Sequence, residues 1–229
     1  MILGSLAIEA AVADGSIRID PYNPDQLNPA SYDLTLGDEL CVYVNSAADR
    51  RLEGQPVNNW YQLPDPPAAI NVKQQPHAFR ALIDPEKGFR VGWTQRRRVF
   101  LMHTRERIWT LGYVPVIDGK SSIGRLGLAI HITAGYGDPG FDGQYTLEVV
   151  ALGEDVILFP GMRIAQVRFH QVHAQRGYRG NYTGAAAMGA QPSKSYAQFT
   201  TEAKTDPAPA PVACLVCSNP WCDNPNGKH

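Results

Sequence analysis

The stretch 118–148, DGKSSIGRLGLAIHITAGYGDPGFDGQYTLE, decides how this chain reads. It carries a cation with two hydroxyls (Lys120, Ser121, Ser122), a second cation (Arg125), a Gly- and Pro-marked turn around Asp138, and a strand-like run ending on Glu148. Fixed cations, hydroxyls and backbone N–H groups in a Gly-containing loop offer charge-assisted hydrogen bonds to anionic oxygens, so the first group points to phosphate. The two carboxylates point to water activation and proton transfer. The rival reading is a P-loop, because Gly119-Lys120-Ser121 matches the end of GxxxxGK[ST]. That pattern needs glycine where Val114 stands, and Gly112 lies two residues too far away. It also needs a following helix, whereas LGLAIHIT (126–133) reads as a strand from its β-branched residues and partial alternation.

Four motifs in this stretch, KSSIGR (120–125), HITA (131–134), DPGFDG (138–143) and TLE (146–148), stand in the order and spacing of one family. The segment resembles the dCTP deaminases, relatives of the trimeric dUTPases. NPASYDLTLG (28–37) and PGMRIAQVRF (160–169) extend the likeness, which covers about residues 1–199. The resemblance implies a mainly β fold, a distorted jelly-roll-like β-barrel assembled as a homotrimer with active sites at subunit interfaces. It implies hydrolytic deamination of dCTP, with Glu148 as proton shuttle and Ser121 and the Ala134 carbonyl holding the water. Arg125 and Asp138 complete the catalytic set, Asp138 matching the aspartate that contacts the sugar and, in dUTPases, activates the water attacking the α-phosphate. Nucleotide contacts are expected from Lys120, Ser121, Ser122, Ile123, Gly124 and Arg125, and from Thr133, Ala134, Gly135 and Tyr136. Thr146, Leu147, Glu148, Gln166, Tyr178 and Tyr182 complete that set, Gln166 standing where the family reads the pyrimidine. TAGY (133–136) is close to the T-A-G-F of members that also cleave the triphosphate, so dUMP, ammonia and pyrophosphate are the expected products. Mg²⁺ is expected on the triphosphate, and dTTP is a candidate inhibitor.

The 229 residues suffice for one sizeable domain plus a tail. A formal charge of −1 gives no electrostatic case for nucleic acid, and the one basic run, Arg96-Arg97-Arg98, reads as a solvated edge or loop. No run approaches the roughly 18 apolar residues of a membrane span, and MILGSLAIEAAVADG lacks the pattern of a secretory signal. A cytoplasmic protein is expected, with no membrane partner. Cys41, in a strand-like run, reads as a buried small hydrophobe.

In chain order, Ser5 can cap a short helix stopping at Gly15. The Pro-marked segment 17–28 reads as irregular and leads into 30–44, where Tyr32, Leu34 and Leu36 alternate with Asp33 and Thr35 as in a half-buried strand. Residues 45–89 read as loops with one or two brief strands. There Trp60 and Tyr61 suggest a loop anchored by buried aromatics rather than a stacking platform. RRVFLMHT and LGYVPVI read as strands separated by RERIW, and 149–172 as two strands joined by a Pro160-Gly161 turn. Residues 176–199, rich in Gly and Ala, read as a mobile nucleotide lid that buries little. The family's lid has K-Y-Q-G-Q where this chain has Asn181-Tyr182-Thr183-Gly184-Ala185. Loss of that cation weakens phosphate binding by about 1.5–3 kcal/mol; either Arg176, Arg179 or Lys194 compensates, or the substrate has changed.

Residues 200–229 are a Pro/Ala linker and a cysteine tail. Cys214, Cys217, Cys222 and His229 have the donor count of a structural zinc clip, and a disordered tail is the favoured alternative. Catalytic zinc is not expected, since no H-x-E occurs and Cys214-x-x-Cys217 follows alanine rather than proline. Standing against the dUMP-forming reading are a dUTPase or deaminase-only enzyme of the same fold acting on dUTP, dCTP or a modified deoxynucleotide, and a non-catalytic nucleotide-sensing or partner-binding protein. Without the motif, Glu148 would be a solvated strand-end charge and Asp138 a turn former.

Overall fold

The structure is a computed structural model describing residues 1–92, 99–173, 177–182 and 187–200. Helix α1 (Ser5–Ala13) opens the chain, followed by β1 (Ile17–Asp20), β2 (Leu27–Asn28), β3 (Ser31–Thr35), β4 (Glu39–Tyr43), β5 (Pro56–Val57), β6 (Ala78–Ile83) and β7 (Phe89–Val91). Then come β8 (Phe100–Thr110), β9 (Tyr113–Gly119), the one-turn helix α2 (Ser121–Gly124), β10 (Leu128–Ala129), β11 (Asp142–Ala151), β12 (Val156–Leu158) and β13 (Arg163–Gln171). Among the described residues the strands pair as β10-β11-β8-β4-β6-β5 with β1 on β8, as β2-β3-β13-β9, and as β12-β7. The mainly β expectation holds, in the form of three sheets around a shared core.

Tyr32, Phe79, Phe89, Phe100 and Phe169 are fully buried in that core. Each contributes roughly 1.5–3 kcal/mol relative to exposure. β8 runs through the centre of the largest sheet, antiparallel to β1, β11 and, over a short stretch, β4. Its Phe100, Met102, Thr104, Glu106 and Ile108 alternate into the core. β3 and β9 flank β13 and fix where the segment beginning at Lys120 leaves the sheet.

Several local expectations need correction. Ser5 lies inside α1 and Gly4 is the cap; no side chain caps this end. The Pro29 carbonyl takes the Ser5 N–H at 2.9 Å, so the orphan donor is satisfied from a distant turn. Residues 17–20 form a regular strand that ends at Pro21, which has no N–H to continue a ladder. RERIW belongs to β8, because Glu106 turns inward and is hydrogen-bonded there. LGLAIHIT yields only the two-residue β10 before the chain leaves the sheet, and α2 follows Lys120 where no helix was expected. Trp60 packs against the core, but Tyr61 is exposed, so one aromatic anchors that loop. The Pro160-Gly161 turn forms as expected, with Gly161 at φ 81°. It links β12 and β13, which sit in different sheets. Cys41 is buried. The Arg96–Arg98 run and residues 201–229, with Cys214, Cys217, Cys222 and His229, lie outside the described residues.

Two predictions follow from this packing. A Cβ at Gly37 would overlap the His103 imidazole, which is buried and fixed by the Thr104 carbonyl at 2.9 Å and the Glu39 N–H at 3.3 Å. Gly37→Ala is expected to lower unfolding free energy by about 1–3 kcal/mol, read as a shifted urea midpoint at unchanged slope. The described core residues fall between Leu3 and Ala190. Deleting residues 204–229 is therefore expected to leave thermal stability and oligomeric state unchanged, checked by melting and sedimentation of one preparation.

Candidate active site

β11 presents Gln144, Thr146 and Glu148 on one face, as the two-residue period of a strand requires. These side chains line a groove of about 420 Å³. Its other walls come from Tyr43 and Leu101 on the neighbouring strands, from Ala134, Tyr136, Gly137 and Asp138, and from Tyr178, Tyr182, Ala187, Gln191 and Ser193 of the C-terminal segment. Glu148 is half-buried, and its Oε2 accepts a hydrogen bond from the Ile132 N–H at 2.8 Å. That bond orients the carboxylate and leaves its second oxygen available for other partners. Asp138 stands exposed at the head of a turn in which its carbonyl accepts from Phe141 N–H at 3.1 Å. Gly140 takes φ 82° there, and its N–H reaches the Thr110 carbonyl at 2.9 Å. Local turn chemistry and long-range pairing agree on where this carboxylate goes.

The groove thus brings together Ala134, Tyr136, Asp138, Thr146, Glu148, Tyr178 and Tyr182 of the expected set. Lys120 to Arg125, Thr133, Gly135, Leu147 and Gln166 are not in its lining. Leu147 faces the core. The Gly135 carbonyl accepts from Ile117 N–H at 2.6 Å, and Thr133 is exposed. Ser121, Ser122, Gly124 and Arg125 are exposed on the loop after β9, while Ile123 is buried beneath them. Among the described residues, no side-chain partner engages the Ser121 or Ser122 hydroxyl or the Arg125 guanidinium. Gln166 accepts from the Ser31 hydroxyl at 3.0 Å and donates to the Gly119 carbonyl at 3.1 Å.

The C-terminal segment is laid along the groove by its own backbone. Gly189 N–H donates to Gln144 at 2.7 Å, Gln191 N–H to the Thr146 hydroxyl at 2.9 Å, and Ser193 N–H to the Tyr43 hydroxyl at 2.8 Å. Ala187 and Ala190 are buried, correcting the expectation that this segment buries little. Small side chains let the strap approach the sheet closely. Lys194, a candidate replacement for the missing phosphate cation, donates to the Asn181 carbonyl at 2.8 Å and lies 4.7 Å over the Tyr182 ring. Arg179 is exposed; Arg176, Thr183, Gly184 and Ala185 lie outside the described residues.

Gln144 was legible by alternation with Thr146 and Glu148. Tyr43, Phe141 and Tyr145 were missed, because they reach the groove through tertiary packing. Tyr145 packs its ring, tilted, 4.9 Å from Phe141 and buries its hydroxyl beneath Gly137, without a hydrogen-bond partner among the described residues. Burial, aided by the charge of Asp138, pushes this phenol well above its ordinary range and keeps it protonated. An unpaired buried hydroxyl is destabilising. Tyr145→Phe is expected to raise unfolding free energy by about 1 kcal/mol, measured by urea denaturation.

Comparison with known proteins gives one consistent answer. A family model described as dCTP deaminase-like matches residues 2–172. A curated relative from Clostridium acetobutylicum, named "dCTP deaminase, dUMP-forming", is 34% identical over 201 residues, covering 87% of this chain and 99% of its own length. A relative of the same name from Cytophaga hutchinsonii is 34% identical over 202 residues, with the same coverage. Among solved structures, a 2′-deoxycytidine 5′-triphosphate deaminase from Agrobacterium tumefaciens is similar at 21% identity and TM-score 0.49, over 76% of this chain and 49% of that one. That structural likeness is too distant to add to the assignment. The family model spans most of the chain and the curated relatives nearly all of their own length: this chain belongs to the dCTP deaminase-like family.

Proposed function

We propose that this chain hydrolyses dCTP to dUMP, releasing ammonia and pyrophosphate, as the names of its curated relatives suggest. The observation that carries the reading is the placement of Glu148 and Asp138 in one aromatic-walled groove, with Glu148 oriented by a backbone N–H. Water attacks C4 of the cytosine ring while the Glu148 carboxylate takes its proton. The same carboxylate delivers that proton to N3, then carries the adduct's hydroxyl proton to the amine, so that the C4–N bond breaks with release of ammonia as the C4 carbonyl forms. Asp138, exposed to solvent, activates a second water against the α-phosphate, whose P–O bond to the β-phosphate breaks. Mg²⁺ bound to the triphosphate would neutralise its oxygens. Among the described residues no cluster of three carboxylates, histidines or cysteines would hold the ion by itself, and Asp138 fits a single-carboxylate contact.

The exposed Ser121, Ser122 and Arg125 lie outside the groove of their own chain. A homotrimer in which this loop meets the groove of a neighbouring copy supplies the missing phosphate contacts, and this is the assembly we favour. No helix among the described residues is long and apolar enough to cross a membrane.

Three outcomes test the reading. Glu148→Gln is expected to abolish ammonia release while nucleotide still binds; ammonia production within tenfold of wild type overturns the proton-shuttle role. With dCTP and magnesium, dUMP is expected to form without dUTP accumulating. Stoichiometric dUTP would instead mark a deaminase alone, and pyrophosphate from dUTP without ammonia from dCTP a dUTPase. Arg125→Ala and Glu148→Gln chains, each inactive, are expected to regain activity when mixed and reassembled. With random mixing, about a quarter of the shared sites carry both intact groups. No recovery would place both groups in a site built by one chain.

A further inference from the structure

The loop 120–125 is held at its entrance by two adjacent residues. Gln166 on β13 donates to the Gly119 carbonyl at 3.1 Å, and the next residue, Lys120, gives its ammonium to Asp33 on β3. Asp33 is an almost fully buried carboxylate, its side chain 2% exposed. It also accepts from Asn28 Nδ2 at 2.8 Å and from Arg163 at 3.4 Å, while its backbone carbonyl accepts from Gln26 Nε2 at 2.7 Å. Arg163 is itself braced by the Asp25 carbonyl at 2.9 Å. The Lys120 ammonium is therefore committed inward, and its side chain is only 20% exposed. The groups immediately after it, Ser121, Ser122 and Arg125, point to solvent.

A buried ion pair contributes little net stability, because desolvation of both charges offsets their attraction. What an over-determined pair does fix is geometry. We propose that Asp33 is a positioning residue: through Lys120 it sets where the 120–125 loop leaves β9, and so where Ser121, Ser122 and Arg125 meet the oxyanions of the nucleotide. Lys120 then serves as the anchor of the loop, and its cation is not the phosphate contact. The inference rests on the nucleotide reading above and assigns a function to the N-terminal strand motif, which that reading left unused.

The test is a double-mutant cycle on the full-length protein with dCTP and magnesium. Asp33→Asn and Lys120→Met are each expected to lower kcat/KM by about 10- to 100-fold, the size of effect that misplacing reacting groups produces. The double variant is expected to fall no more than about twofold below the worse single, because both substitutions break one contact. Lys120→Arg, which keeps the cation, is expected to restore activity to within a few-fold of wild type. Losses that multiply in the double variant, or nucleotide binding tightened by Asp33→Asn, overturn the proposal: Lys120 would then be a phosphate ligand that Asp33 restrains. Hydrogen exchange without nucleotide supplies the second readout. Amides of 121–126 are expected to exchange at least about tenfold faster in Asp33→Asn while β11 is unchanged; equal exchange also overturns the proposal. Should wild type release neither ammonia from dCTP nor pyrophosphate from dUTP, the functional reading fails by itself, and the exchange comparison still decides whether Asp33 positions the loop. If Asp33→Asn does not fold, Lys120→Arg against Lys120→Met carries both readouts.

Discussion

The pairing of β8 with β11 is the constraint on which the rest of the molecule depends. The ladder runs in one register from Asp142 opposite Trp109 to Gln144 opposite Arg107, then resumes with Thr146 opposite His103. Between those points Tyr145 faces three residues of β8, Thr104 to Glu106, and the surplus is absorbed as an irregularity. Side chains replace the missing ladder bonds: the Thr104 hydroxyl accepts from Tyr145 N–H at 3.0 Å, and Gln144 donates to the Arg105 carbonyl at 3.0 Å. Opposite that irregularity Glu106 faces inward by β8's own alternation, where it accepts from Thr35 N–H, the Thr35 hydroxyl and Gln26 Nε2 at 2.7–3.0 Å. Gln26 also bonds the Asp33 carbonyl, so the defect in the central ladder is connected to the strand that steadies the 120–125 loop. Groove and loop lie on different sheets, yet one chain of hydrogen bonds, from Glu106 through Gln26 and Asp33 to Lys120, runs between them.

The sequence made the strongest claims where physics is local, and those held. Asp-Pro-Gly makes a turn with no help from the rest of the chain. Thr146, Leu147 and Glu148 alternate as a half-buried strand must. The failures came where a distant partner overrides local preference. RERIW looks like a polar interruption until Thr35 and Gln26, some 70 to 80 residues away, satisfy Glu106. Ser5 looks like a cap until Pro29 supplies the acceptor for its N–H. Ala187 and Ala190 look unable to bury much, yet their small size is what lets the strap lie against the sheet.

The candidate site was legible in its residues and less so in its grouping. Motif order put Lys120, Arg125, Asp138 and Glu148 in one list, and the fold divides them between a groove on one sheet and a loop leaving another. Spacing along a chain says nothing about which face of which sheet a residue reaches. It also cannot distinguish a cation offered to a ligand from one already committed to a buried carboxylate, which is the difference between Arg125 and Lys120.

The C-terminal strap carries one more consequence. Its bonds to the sheet run from its own backbone N–H groups to acceptors on Gln144, Thr146, Tyr43 and Glu39. Every residue except proline offers that donor. The information for docking therefore resides largely in the sheet, and the strap is free to vary in composition as long as it stays small at 187 and 190, keeps Gly189 at φ 72° against Glu39, and places no proline at its donor positions. Over evolutionary time such a segment can exchange its side chains, and with them whatever it presents to a ligand, without losing its seat. A family fold can acquire a new preference there while its scaffold stands still.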